Sequence, residues 1–153
     1  MTGYIILDNF TKYNKKNLLA IDYGQKVIGL ALFCPGRDPF PLPAGRIINK
    51  DEDQVIKDLQ SFIDEEFVEV IILGIPHLLD GTVTKMTIKM LDFGTNLKAN
   101  FPTLEVVYQD ETLTTFEAED RMKKDPRYNF KVNPKEIDAL SAVIILEDFI
   151  GKK

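Results

Sequence analysis

Asp22, followed after one residue by Gly24, the adjacent acids Asp110 and Glu111, and Asp138 are the residues of this chain best suited to shared chemistry. Carboxylates crowded together repel one another, which raises their pKa values unless a cation resolves the repulsion. Two divalent ions about 3.5–4 Å apart on such a cluster activate an attacking water and stabilise the leaving oxygen of a phosphodiester. Cys34 is the only cysteine and His77 the only histidine, so an intramolecular disulfide is impossible and a thiolate- or imidazole-rich zinc site is not available. A metal here would be held by oxygen, which favours Mg²⁺ or Mn²⁺. Gly24, with no side chain, would let a phosphate or a metal approach the backbone.

Each acid also has an ordinary reading. A strand ending in Asp-x-Gly is common, an aspartate near a helix N-terminus is favoured by the helix dipole, and a single glutamate after a strand is usually solvated. Asp138 shares its helical stripe with Ala142, Ile145 and Phe149, a face expected to be buried, where a carboxylate needs a cation or donors. The specificity lies in the three acids together.

They can meet only if the chain brings strand and helix ends to one edge. Asn17–Asp22 and Val27–Phe33 are apolar runs joined by a tight turn, so they form an antiparallel hairpin. A proline-rich loop over 35–43 precedes a third short strand near Gly45–Ile48. Residues 51–67 place Val55, Ile56, Leu59, Phe62 and Ile63 at helical spacing, and Val68–Gly74 is a β-branched run expected of a strand covered on both faces. A helix over 82–100, a strand over 104–109 and a helix from Thr114, with Thr114 and Glu117 as a capping box, follow. Asn133 as N-cap, Pro134 as first helical residue and Glu136 three after the cap introduce a last helix that runs to about Phe149. This order predicts an α/β fold: a five-stranded mixed sheet, its first three strands antiparallel, with helices on both faces. Residues 1–16 show no sustained periodicity and are expected to be an N-terminal extension to a domain over 17–150.

At 153 residues and 44% hydrophobic the chain can bury an ordinary core. It lacks an apolar run long enough to span a membrane and a recognisable signal peptide, so a cytoplasmic protein with no membrane partner is expected. The net charge of −5 disfavours nucleic acid in total but not in distribution. Residues 51–69 hold eight acids against Lys57, whereas residues 121–135 hold six bases, Arg121, Lys123, Lys124, Arg127, Lys131 and Lys135, against Asp125. That basic stretch is either solvated surface or a phosphate-binding face, with Tyr128 and Phe130 able to stack on bases or to pack inward.

Four segments together resemble the YqgF/RuvX family. Ala20–Ala31 is similar to its opening motif. Gly74-Ile75-Pro76 with Asp80-Gly81-Thr82 is similar to the second, Asp110–Ala118 to the third, and Ile137–Ala142 with Ile145-Leu146 to the fourth. The resemblance implies an RNase H-like fold and a metal-dependent nuclease that processes the 5′ end of pre-16S ribosomal RNA, resolves Holliday junctions, or both. It carries Asp22, Glu111 and Asp138 over as catalytic, metal-binding residues, with Asp110 a weaker ligand because alternate strand residues face opposite sides. Gly24, Lys26, Arg121, Lys123, Lys124, Arg127 and Lys131 would then contact RNA or branched DNA, and the protein would be a monomer or homodimer. Thr112 and Val27 stand where many members carry basic residues, which leaves open weaker docking or altered specificity. A catalytically weak nucleic-acid-binding module is the alternative. Half of a sugar-kinase or actin-like ATPase would need a second such domain and a glycine-rich phosphate turn, for which the chain has no room.

Overall fold

The computed structural model describes residues 12–13, 15–76, 83–111 and 114–151. Five strands form one sheet: β1 (Leu18–Asp22), β2 (Val27–Phe33), β3 (Leu42–Ile48), β4 (Val70–Pro76) and β5 (Glu105–Glu111), in the spatial order β3-β2-β1-β4-β5. The first three are antiparallel, and β4 and β5 then run parallel to β1. The parallel pairs need crossovers, and these are the helices. Helix α1 (Glu52–Glu66) connects β3 to β4 and α2 (Lys85–Asn100) lies between β4 and β5. Helix α3 (Thr114–Lys123) and α4 (Ile137–Ile150) follow β5. The predicted mixed sheet with helices on both faces is the one observed. The third strand starts earlier than expected, at Leu42, because Leu42 and Pro43 pair with Leu32 and Ala31 beyond an irregularity in the ladder.

The alternation of side chains separates two cores. Leu19, Ile21, Ile71, Leu73, Val106 and Tyr108 face α1 and α2. Leu18, Ala20, Val70, Ile72 and Val107 face the other way, toward Ala118 and Met122 of α3 and the buried length of α4. Tyr13, in the segment expected to be an extension, belongs to this second core: it is 7% exposed, and its ring centroid lies 5.3 Å from that of Phe149.

Asp51 caps α1, its carboxylate accepting from the Gln54 amide at 2.8 Å, and Thr84 caps α2 through the Thr87 amide at 3.1 Å. The start of α4 differs from expectation. Asn133 accepts from the Lys135 amide at 3.0 Å and donates to the Glu136 carboxylate at 2.7 Å. Its side chain is therefore spent on a local turn, a known competitor of helix capping, and the helix begins at Ile137 with Glu136 in the capping position.

Candidate active site and nucleic-acid interface

Asp22 is the last residue of β1 and pairs in register with Gly29 of β2. It shares the face of Leu18 and Ala20, so it points toward α4. Gly29 lets that helix come close: a β-carbon on Gly29 would stand 1.9 Å from the Asp138 carbonyl oxygen. The first turn of α4 thus rests directly on the strand beside Asp22, which brings the two carboxylates into electrostatic contact. Burial and then the neighbouring Asp138 push the half-buried Asp22 carboxyl up to about 7. Burial also raises Asp138, while Arg46 pulls it partly back.

Nothing in the local sequence singles out Arg46. It sits on β3 directly opposite Gly29, and only the pairing register places it near Asp138.

Glu111 ends β5, two residues beyond the level of Gly74, and it shares the face of Val107 and hence of Asp22 and α4. Asp110 shares the opposite face, that of Val106 and Tyr108. Extending the β1–β4 register puts Asp22 level with Gly74 and Gln109. Glu111 is therefore two strands across and two residues along from Asp22, about 12 Å between backbones. Among the described residues no three acidic, histidine or cysteine side chains stand together closely enough to hold a metal ion. Asp22 and Asp138 are brought together; Glu111 faces the same space from farther off.

The fit of this pair to a divalent cation rests on its donors. Both groups are oxygen ligands, and no hydrogen-bond donor or cation among the described residues pairs with the Asp22 carboxylate. A half-buried carboxylate beside another, with only Arg46 of opposite charge acting on the second, is a setting that a cation stabilises.

Gly24 has a local reason as well: a β-carbon there would stand 2.3 Å from the Val27 carbonyl oxygen, so the turn itself requires glycine. Lys26 is exposed next to it, and Val27 is half-buried in the ladder opposite Ile48. Thr112 and the second motif's Asp80-Gly81-Thr82 lie outside the described residues.

The basic stretch divides. Arg121 is bound to Glu147 of α4 at 2.6 Å and lies 3.5 Å from Glu117. Lys124 pairs with Asp120 at 2.9 Å and Arg127 with Asp125 at 2.7 Å. Lys123 and Lys131 are exposed, and neither is ion-paired among the described residues. Of the two aromatics, Tyr128 packs on the second core, whereas Phe130 is 59% exposed and holds a left-handed backbone with φ 59°. Phe116 of α3, which no sequence pattern marks out, is 68% exposed. Among the described residues no helix is long and apolar enough to cross a membrane.

Residues 16–152 match the model of the RuvX family, described as Holliday junction resolvase. A Mesomycoplasma hyopneumoniae protein named pre-16S rRNA nuclease is 34% identical over 143 residues, 93% of this chain and 97% of the relative. A protein of the same name from Crocosphaera subtropica is 30% identical over 135 residues, 88% of this chain and 92% of its own. Thermus thermophilus RuvC in complex with a Holliday junction substrate superposes with a TM-score of 0.54 at 11% identity, covering 85% of this chain and 91% of RuvC. The yeast mitochondrial Holliday junction resolvase gives 0.53 at 12% identity, over 90% of this chain and 79% of its own. These likenesses give the fold, which is RNase H-like. With four motifs in order, a family match over nearly the whole chain and that fold, the chain belongs to the RuvX family of Holliday junction resolvases.

Proposed function

We propose that the domain over residues 17–150 is a cytoplasmic, metal-dependent nuclease that hydrolyses phosphodiester bonds, processing the 5′ end of pre-16S ribosomal RNA and/or resolving branched DNA. The observation that carries the reading is the juxtaposition of Asp22 and Asp138 across Gly29, on the sheet face that Glu111 shares. The relatives' names support ribosomal RNA as substrate, and the family description supports junctions.

Asp22 and Asp138 would hold Mg²⁺ or Mn²⁺, with Glu111 as the further ligand of the motif. When bound, the metal supplies charge for the scissile phosphate and lowers the pKa of a water. The chain's own part begins with Asp22, whose carboxyl, at about 7 without metal, sheds its proton readily near neutrality. Gly29 fixes Asp138 through backbone contact, so the pair is set by the fold rather than by flexible side chains. Arg46 offers positive charge at the Asp138 side. Lys26, Lys123 and Lys131 are exposed, with no ion pair among the described residues, and would bind phosphates, while Phe130 presents a ring on which an unpaired base can stack.

The deciding experiment offers purified protein and Mn²⁺ a labelled pre-16S 5′-end RNA and a labelled four-way junction side by side. Cleavage of either by the wild type, abolished in Asp22→Asn, is the expected result. Two symmetric cuts in the junction would also require a dimer. Tight binding of either substrate with no metal-dependent cleavage would instead make the protein a binding module.

A further inference from the structure

Phe67 lies at the other end of the sheet. It follows α1 and precedes β4, whereas Asp22 closes the parallel strand β1 at its far end, about 15 Å along. Phe67 is 76% exposed, more than the other large apolar side chains described, and it takes a left-handed backbone with φ 54° and ψ 44° as the C-cap of α1. Glycine is the residue suited to that position. Here a bulky aromatic occupies it and faces water.

The ring stands between two surface hollows. One, of about 560 Å³, has an apolar floor of Ile63, Val68, Phe101 and Leu104. The other, of about 320 Å³, lies toward Cys34 and Gly36. The rim is acidic: Asp64, Glu65, Glu66 and Glu69 line these hollows, with Arg37 the one cation among the described lining residues. Arg37 is already bound to Glu66 at 2.8 Å and to Asp38 at 2.9 Å, and Lys16 lies 3.5 Å from Glu69. Asp64 and Glu65 have no cation partner among the described residues.

We infer that this face docks a basic protein segment, one apolar side chain seated beside Phe67 and lysines or arginines on the acidic rim. Charge complementarity selects the occupant. Nucleic acid would be repelled by the rim, and a second copy meeting this face with the same face would oppose like charges. A partner bound here leaves the edge with Asp22 and Asp138 open, so it can hold the protein near a substrate without covering the site.

The test titrates the full chain with a short fluorescein-labelled peptide of lysine and arginine around one central leucine. Phe67→Gly removes the ring and suits the left-handed position, so its melting temperature should not fall while peptide affinity drops about tenfold. Replacing the central leucine by glycine should cost as much with the wild type and nothing further with Phe67→Gly. Asp64→Ala with Glu65→Ala should weaken binding, whereas Glu52→Ala with Asp53→Ala, the same change of charge at the other end of α1, should not. Equal losses from both acidic pairs would reduce the binding to general charge attraction and overturn the proposal. So would a wild-type dimer in sedimentation that Phe67→Gly dissociates, or loss of single-stranded RNA binding in that variant. A melting temperature that falls in Phe67→Gly with peptide affinity unchanged would make Phe67 a structural residue and overturn it equally.

Discussion

Asp22 and Asp138 are separated by 116 positions in sequence and meet because Gly29 lets the backbone of Asp138 lie directly against β2, the strand paired with Asp22. Neither carboxylate is placed by its own neighbours in sequence. The approach of one helix to one strand sets the electrostatics of both.

The first consequence is a pH-dependent stability. Asp22 rises from an ordinary carboxyl value of 3.8 to about 7 in the folded protein, through burial and then Asp138. The folded state therefore binds a proton that the unfolded state releases across that window, and stability falls as pH rises through it. The cost is fully present above pH 7 and absent below about pH 4. Asp22→Asn should raise the metal-free melting temperature at pH 8 by about 5–10 °C, from about 2–3 kcal/mol after allowance for partial solvation. At pH 4 the two proteins should melt together. Mg²⁺ should stabilise the wild type and leave the variant unchanged. Equal melting at pH 8 would show that Asp22 carries no such penalty.

Gly29→Ala tests the close approach itself. Its β-carbon would stand 1.9 Å from the Asp138 carbonyl oxygen and 2.3 Å from the carbonyl carbon, both backbone atoms. The helix must shift, at a cost of about 2–4 kcal/mol, and cleavage should fall even at temperatures where the variant is folded. Gly36→Ala, with nothing within 4 Å, is the control and should change stability by less than about 0.5 kcal/mol. If the two variants melt alike, the close approach is not what positions α4.

Much of this was legible in the chain. Alternation and helical spacing place all five strands and the helices, because apolar periodicity reports burial directly. The parity of the strand separates Glu111 from Asp110, which is why the weaker candidate faces away from α4. What local sequence could not show is pairwise. Arg46 reaches Asp138 only through the β2–β3 register, and Gly29 looks like any glycine in a strand until the helix above it is known. Asn133 carries every mark of an N-cap, yet its side chain finds a nearer amide in its own turn. The six cations of residues 121–135 read as one patch because sequence does not reveal that Glu147 will stand beside Arg121.

Tyr13 shows the same limit at the other end of the chain. Its phenol donates to Glu105 at 2.6 Å, and burial together with that carboxylate pushes it up to about 12. The ring covers Phe149 at the end of the helix that bears Asp138. Tyr13→Phe should cost about 1 kcal/mol by removing the hydrogen bond. Tyr13→Ala should cost about 2–4 kcal/mol through the cavity left against Phe149. Thermal melts of both at neutral pH give the comparison. If Tyr13→Ala melts like the wild type, the segment before β1 adds nothing to the fold.

The ion pairs of the basic stretch make a prediction that treating it as a uniform patch does not. Removing one lysine or arginine that neutralises a phosphate should flatten the dependence of log K on log salt by about 0.7–0.9. Lys123 and Lys131, exposed and outside any ion pair among the described residues, should each show that flattening on mutation to alanine. Arg127 is held by Asp125 through several hydrogen bonds and Arg121 by Glu147, so their charge is already matched by neighbouring carboxylates. Arg127→Ala should leave the slope nearly unchanged. Arg121→Ala should leave it unchanged and lower the melting temperature, because the partly buried Glu147 is deprived of its partner. Phe130→Ala should weaken binding to single-stranded RNA by about 1–3 kcal/mol at all salt concentrations, since stacking carries no counterion term. Titrations with Ca²⁺ in place of Mg²⁺, which keep the substrate intact, at several salt concentrations separate the two effects. Equal slopes for wild type, Lys123→Ala and Lys131→Ala would place the nucleic acid on some other face.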